Sequence, residues 1–262
     1  MAQYTTIRYD DGAAPIARIT LDRPEKRNPI GPLTTGELIH AFTAAGEDPA
    51  VRVVVITGAG QVFSAGGDLA AMTGHGAAAS PSPVEPASLV QLFLTMHGLG
   101  KPILAMVNGH AFAGGMGLMV ACDLAIASDT AQFATTEIGV GLWPMMITAE
   151  IVRNIGRKKT LEMMLTGKRI SAAEAVAIGL INRAVPAAEL EAETHKLASE
   201  LADKSPAAVA LGLRAFYQTQ DLALEQALPH LEGELAKVLA LEDAAEGITA
   251  FLQKRRPVWR GR

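Results

Sequence analysis

The sequence predicts an α/β fold whose first half is mixed and whose remainder is mainly helical. Three observations carry this. Short apolar runs ended by glycine, "VRVVVITG" and "KPILAMVNG", alternate with helical periodicity in the first half. After about residue 145 the start signals are mostly helical. At 262 residues the chain can bury one large core, or one core with a small appendage.

The elements follow in order. "TIRYD" and "PIARITLD" flank "DGAA" and predict a hairpin. "PLTTGELIHAFTAAGED" is helical, with Leu38, Ile39 and Phe42 spaced for one face. "VRVVVITG" and "KPILAMVNG" are buried strands, and "DLAIAS" and "AQFAT" are two shorter ones. Ser171 with Glu174 makes a capping box, and Gly179 suits that helix's end. Ser205 followed by Pro206 starts another helix, and Asp243 with Glu246 resembles a third start. Residues 1–200 are therefore expected to form the α/β core, and 201–262 a helical C-terminal region. Residues 73–88, "TGHGAAASPSPVEPAS", interrupt this order as a loop. A surface insertion and a lid over a site fit it equally.

Composition narrows the function. Hydrophobic content of 49% with 19% charged residues is that of a folded globular chain. A net charge of −4 argues against a general nucleic-acid binder, which needs clustered Lys and Arg. The basic run "KRRPVWRGR" reads as a solvated tail. Cys122 is the single cysteine, which fits a reducing compartment. No apolar run reaches the roughly 18 residues of a membrane span. "MAQYTTIRYDDG" has no signal-peptide core. The expectation is a cytoplasmic protein.

Several familiar motifs fail. "TGAGQVF" has Phe63 where a dinucleotide fingerprint needs glycine. "VFSAG" lacks the first glycine of a nucleophile elbow, so Ser64 is a turn residue. The histidines never pair at helical ligand spacing, so a metal site is not expected. His110 reads as a packed or hydrogen-bonded side chain. The methionines of "GGMGLMV", "WPMMI" and "LEMML" read as core, with "WPMMI" also suited to a pocket wall.

Two glycine pairs remain. "VVVITGAGQVFSAGGDL" and "ILAMVNGHAFAGGMGL" each run from a buried strand through a turn to Gly66-Gly67 or Gly114-Gly115 and then a helix. Glycine lets a backbone N–H approach a ligand unobstructed. Two such N–H groups facing each other make an oxyanion hole, where a donor is typically worth roughly 2.7–4 kcal/mol. Close packing of strand on helix needs the same glycines, and the spacing alone does not choose.

"LDRPEKRNPI", "GAGQVFSAGGDL", "KPILAMVNGHAFAGGMGLMVACDLAIASDTAQFATTEIGVG" and "LTGKRISAAEAVAIGLINRAVP" resemble the enoyl-CoA hydratase/isomerase family, the crotonases, over nearly the whole chain and in the expected order. The resemblance implies a spiral of ββα turns and a C-terminal helical region used to form a trimer, often paired into a hexamer. It implies an acyl-CoA thioester substrate and an enolate intermediate, with no cofactor or metal. Carried over by position, the N–H groups of Gly67 and Gly114 are the oxyanion donors and Glu137 is the acid/base. The CoA portion would run past Lys26, Arg27, Ala65, Asp68 and Leu69. Lys26 and Arg27 would meet its phosphates, with solvated surface charge the plain alternative. Asp68 is expected to brace the loop after Gly67 and cap the next helix.

One departure matters. Typical hydratases of the family carry a second glutamate where this chain has Gly117. Hydration uses two carboxylates to hold water and move protons. A single one suffices to take a proton from Cα of a 3-enoyl thioester and return it at Cγ. Met145 and Met146 stand where the family often has small residues, and are expected to reshape and dry the acyl pocket. Isomerisation is thus the favoured expectation. A hydratase using Glu137 alone, or with His110 or Glu150, is the alternative, as is a thioester-binding scaffold. Glu150 is expected to be solvated.

Overall fold

The hairpin at the start of the chain forms as expected in the computed structural model, which describes residues 4–12, 14–72 and 82–262. β1 (Ile7–Asp10) pairs antiparallel with β2 (Ile16–Leu21). Helix α1 (Pro32–Glu47) follows, with Pro at its first turn where the missing N–H costs nothing.

Three ββα turns then succeed one another. The first is β3 (Val53–Gly58), β4 (Val62–Ser64), the short α2 (Leu69–Met72) and α3 (Leu89–Gly98). The second is β5 (Ile103–Val107), β6 (His110–Phe112) and α4 (Gly114–Val120). The third is β7 (Leu124–Ser128), β8 (Gln132–Ala134) and the long α5 (Met145–Thr166), which breaks at Gly156 where φ is +72°. After them come β9 (Ile170–Ser171), α6 (Ala172–Ala177), β10 (Arg183–Val185) and α7 (Leu190–Ala202). The helices α8 (Pro206–Thr219), α9 (Leu224–Leu239) and α10 (Glu242–Leu252) complete the order.

In each turn the first strand joins a large sheet and the second a small one. The large sheet has the order β1-β2-β3-β5-β7-β10, parallel except for the β1–β2 hairpin. The small sheet has the order β4-β6-β8-β9. The expected spiral is therefore present. Parallel strands covered on both faces read as unbroken apolar runs. That is why "VVVITG" lacks alternation: Val54 and Ile56 bury among α1 and its neighbours, while Val53 and Val55 bury with Leu104, Ile126 and the α7 residues Leu190 and Ala198.

Expected helix boundaries hold where capping decides them. Ser171 and Glu174 make both arms of the capping box on α6, and Ser205 caps α8 by accepting from the Ala208 N–H. Asp243 differs. It does not cap α10 but is buried, accepting from the Ser205 hydroxyl at 2.7 Å and from the Arg260 and Gly261 N–H groups. Glu246 pairs with Arg255 and accepts from the Val258 N–H. The basic "KRRPVWRGR" segment is thus tied to α10 and not a free tail, although most of its side chains face solvent. The chain turns from α7 to α8 at Asp203–Ser205. Of the 73–88 loop, residues 73–81 lie outside the described residues. The Glu85 carbonyl packs on α1 at Gly36, where a Cβ would stand 2.0 Å from that oxygen.

Candidate active site

The two glycine pairs meet. β4 lies beside β6 in the small sheet, so the segments leaving them, 65–68 and 113–115, emerge side by side. Ile30 bridges to Gly67: its N–H donates to the Gly66 carbonyl at 2.7 Å, and its carbonyl accepts from the Asp68 N–H at 3.1 Å. Successive N–H groups of an extended segment point to opposite sides. The Gly67 N–H therefore faces away from Ile30. A Cβ on Gly114 would stand 3.6 Å from the Gly67 nitrogen. Among the described residues neither the Gly67 nor the Gly114 N–H has a hydrogen-bond acceptor. The two glycine segments thus lie against each other.

The backbone around them is held under strain. Ala113, just before α4, sits at φ +49°, ψ −127°, a conformation costing about 1–3 kcal/mol outside glycine. Its N–H is tied to the Ala134 carbonyl at 2.8 Å. Gly66, at φ +109°, must lack a side chain because a Cβ would fall 2.6 Å from that of Ala113. Gly115 answers to packing: its Cβ would lie 2.5 Å from the Ser64 Cβ. Ser64, expected in a turn, instead ends β4, where its role is structural: it donates to the Asn28 carbonyl at 2.7 Å and accepts from the Gly66 N–H at 3.1 Å.

Asn28 was not legible as a site residue. It is buried at φ +53°, and its amide donates to the carbonyls of Ala59, Val62 and Phe63. It thereby fixes the turn into β4, the strand that leads to Gly67. The signal available was asparagine's tolerance of left-handed backbone, within "RNPI".

Glu137 comes from the third turn of the spiral. Three residues after Ala134 binds Ala113, the chain forms a 3-10 turn, Thr136–Val140. Thr135 anchors that turn by donating to the Met163 carbonyl of α5 at 3.0 Å. Oε2 of Glu137 is buried with no hydrogen-bond partner. Burial pushes its pKa above the usual carboxylate range, against a smaller opposing effect of its own backbone N–H.

Gly117 has no room for any side chain. A Cβ there would lie 2.0 Å from Cγ2 of Ile147 and 3.5 Å from the Phe93 ring. Met145 and Met146, expected to reshape the acyl pocket, are 68% and 44% exposed, and Ile147 is the α5 residue that turns in against Gly117. The first two residues of α5 fall on its outer face, and the third begins its buried stripe of Ile147, Glu150 and Ile151. Glu150 is corrected too. It is buried and pairs with His97 at 3.3 Å. His110 is hydrogen-bonded as expected, accepting from the Gln132 N–H at 3.2 Å.

The remaining expected residues gather on one rim. The Ala65 N–H donates to the Arg27 carbonyl at 2.9 Å, and Lys26 precedes it in the 3-10 turn Pro24–Lys26. Lys26, Arg27, Ala65 and Leu69 are all exposed. The Asp68 carboxylate is engaged within the protein, pairing with Arg23 at 3.1 Å and accepting from the Ala71 N–H at 3.2 Å. Burial raises its pKa, but the Ala71 and Arg23 bonds and nearby positive charge outweigh this and hold it low. Among the described residues no three His, Cys, Asp or Glu side chains gather as a metal-ligand set.

A spiral of ββα turns that brings two glycine segments side by side, with Glu137 holding one buried, unpaired carboxylate oxygen, defines a class of protein, and comparison with known proteins agrees. The family model for enoyl-CoA hydratase/isomerase matches residues 11–262. The enoyl-CoA hydratase domain-containing protein 3 of Mus musculus, named as mitochondrial, is 38% identical over 256 residues, covering 97% of this chain and 84% of that one. The carnitinyl-CoA dehydratase of Escherichia coli K12 is 38% identical over 262 residues, covering 94% and 95%. The crystal structure of an enoyl-CoA hydratase from Mycobacterium smegmatis superposes with a TM-score of 0.88 at 34% identity, covering 97% of this chain and 99% of that one. The chain belongs to the enoyl-CoA hydratase/isomerase family.

Proposed function

We propose that the protein is an acyl-CoA enzyme that moves a double bond, converting a 3-enoyl-CoA to a 2-enoyl-CoA through Glu137. The thioester oxygen accepts hydrogen bonds from the Gly67 and Gly114 N–H groups. Glu137 takes the proton from Cα, and the electron pair spreads over a dienolate held by those donors. The protonated Glu137 then delivers the proton to Cγ, leaving the conjugated thioester. A buried carboxylate with a raised pKa accepts and returns protons near neutral pH.

The observation that carries isomerisation over hydration is Ile147 lodged against Gly117. A methyl group stands where a second carboxylate would have to enter. A second class of reaction, addition or loss of water by Glu137 alone, is favoured by the dehydratase name of the Escherichia coli relative. CoA enters as part of the substrate, along Lys26, Arg27, Ala65 and Leu69, with Asp68 bracing the loop between them, and no cofactor or metal is required.

The test is Glu137→Gln. Turnover should fall by about 10²–10⁴-fold, the usual contribution of a positioned acid/base, while a saturated acyl-CoA binds as before. Unchanged turnover would remove Glu137 from the mechanism.

A further inference from the structure

One turn beyond Phe93 and Ile147, the same two helices carry a polar pair, with Glu150 buried and His97 partly so. His97 of α3 and Glu150 of α5 approach to 3.3 Å through Nε2 and Oε2. The His97 ring lies flat on Tyr217 of α8, with centroids 4.2 Å apart and planes 13° from parallel. The Tyr217 hydroxyl donates to Oδ1 of Asp123 at 2.6 Å, and Oδ2 of Asp123 accepts from the Ile103 N–H at 2.7 Å. Burial raises the Asp123 pKa, although the Tyr217 and Ile103 bonds and the His97 charge oppose it. A chain of contacts, polar at both ends and stacked rings in the middle, thus runs from α5 through α3 and α8 to the start of β5 and the residue before β7.

A polar pair held between two helices adds little net stability, and its best-attested role is to select one arrangement of the elements it joins. Here the joined elements are the two that close on Gly117. Ile147 and Glu150 lie three apart on α5, and Phe93 and His97 lie four apart on α3, so each couple shares a helix face. Gly114 and Gly117 likewise share a face of α4. The Ile147 methyl therefore stands about one helical turn, ~5 Å, from the donor at Gly114. That is where the first carbons of an acyl chain would lie if the thioester oxygen sits between Gly67 and Gly114.

We propose that His97 and Glu150 are positioning residues that fix the rotation of α5 against α3, so that Ile147 walls the acyl end of the site and sets which acyl shapes enter. This rests on the acyl-CoA reading above, but not on isomerisation. Ile147 makes the selection, and the pair acts through it.

The experiment uses saturated thioesters, on which double-bond chemistry cannot act. Affinities for butyryl-CoA and for 3-methylbutyryl-CoA are measured by calorimetry in the wild type, Ile147→Ala, Glu150→Gln and the double variant His97→Phe/Glu150→Met. The double variant keeps a ring on Tyr217 and leaves no charge unpaired, which protects folding. The wild type should prefer the straight chain by about ten-fold or more, the usual scale for one misfitting methyl group. Ile147→Ala should bring that ratio near one. Both pair variants should lower it at least about three-fold, with butyryl-CoA affinity within about two-fold of wild type. A merely structural pair would weaken both ligands together and leave the ratio alone.

A ratio unmoved in Ile147→Ala overturns the wall. A ratio moved there but not in the pair variants overturns the positioning role. Failure of the wild type to bind either thioester overturns both, together with the acyl-CoA reading. Normal selectivity without isomerase activity would sink the proposed reaction alone.

Discussion

At the scale of the residue, the three glycines of "GGMG" do three different things, and substitution should separate them. A Cβ on Gly114 meets the Gly67 nitrogen only at ordinary contact distance, 3.6 Å. Alanine also favours a helix by about 1 kcal/mol over glycine. Gly114→Ala should therefore melt no lower than wild type yet lose about 10²–10³ in kcat, because its methyl enters the space between the donors. Gly115→Ala should instead destabilise by about 1–3 kcal/mol, since its methyl meets Ser64. Thermal melts and steady-state rates on the two variants check this. Glu137 adds a prediction in pH. Its pKa is raised in the folded protein, so the folded state loses stability relative to the unfolded chain as pH rises past the usual carboxylate value. Glu137→Gln should melt higher than wild type at neutral pH while turnover is lost. The acid limb of the wild-type rate profile should lie above the ordinary carboxylate range. The glycines were visible in the sequence, but their division of labour was not, because it depends on what faces each missing Cβ. Ile147 against Gly117 is a contact between residues thirty positions apart that no local pattern encodes.

At the scale of the element, the long apolar runs and the capping box on α6 were legible because each is a local signal. The short strands β4 and β6 were read as turns. At three residues each they are too brief for a period to register, yet they bring the two glycine pairs together. The start of α3 was also passed over, although Ser88 and Gln91 form both arms of a capping box at the end of the proline-rich loop. Glu37, buried in the middle of α1, was the least legible feature of all. It accepts from the N–H and hydroxyl groups of Thr5 and Thr6 and from the Ser82 hydroxyl, binding the start of the hairpin and the 82–88 segment to one helix. Burial raises its pKa, but these bonds outweigh it and hold the carboxyl below its ordinary value of 4.5. The stability it contributes is present above that value and is lost as pH falls through the lower, folded one. Glu37→Gln should cost about 1.5–3 kcal/mol at neutral pH. The difference from wild type should shrink in acid, as followed by urea titration at the two pH values.

At the scale of the whole molecule, the C-terminal helices are poorly explained by one chain alone. Leu224, Leu228, Leu231, Leu235 and Leu239 recur at helical spacing along one exposed face of α9, and α10 exposes Ile248, Phe251 and Leu252. We propose, as the family resemblance implies, that this face is the interface between copies in a homotrimer, or a hexamer of paired trimers; the exposed leucine stripe is what supports it. Leu228→Glu/Leu235→Glu should sediment as a smaller species than wild type. Among the described residues no helix is long and apolar enough to cross a membrane. The mitochondrial name of the Mus musculus relative lends no support to a cytoplasmic location. What joins these scales is one claim: Glu137 works without a second carboxylate, because Ile147 occupies its place. The measurement that tests it most directly is a paired assay on the purified protein, with crotonyl-CoA in water and with a 3-enoyl-CoA, followed by mass and by conjugated-thioester absorbance. Fast conversion of the 3-enoyl to the 2-enoyl thioester with feeble hydration is the expected result. Fast hydration of crotonyl-CoA would contradict it.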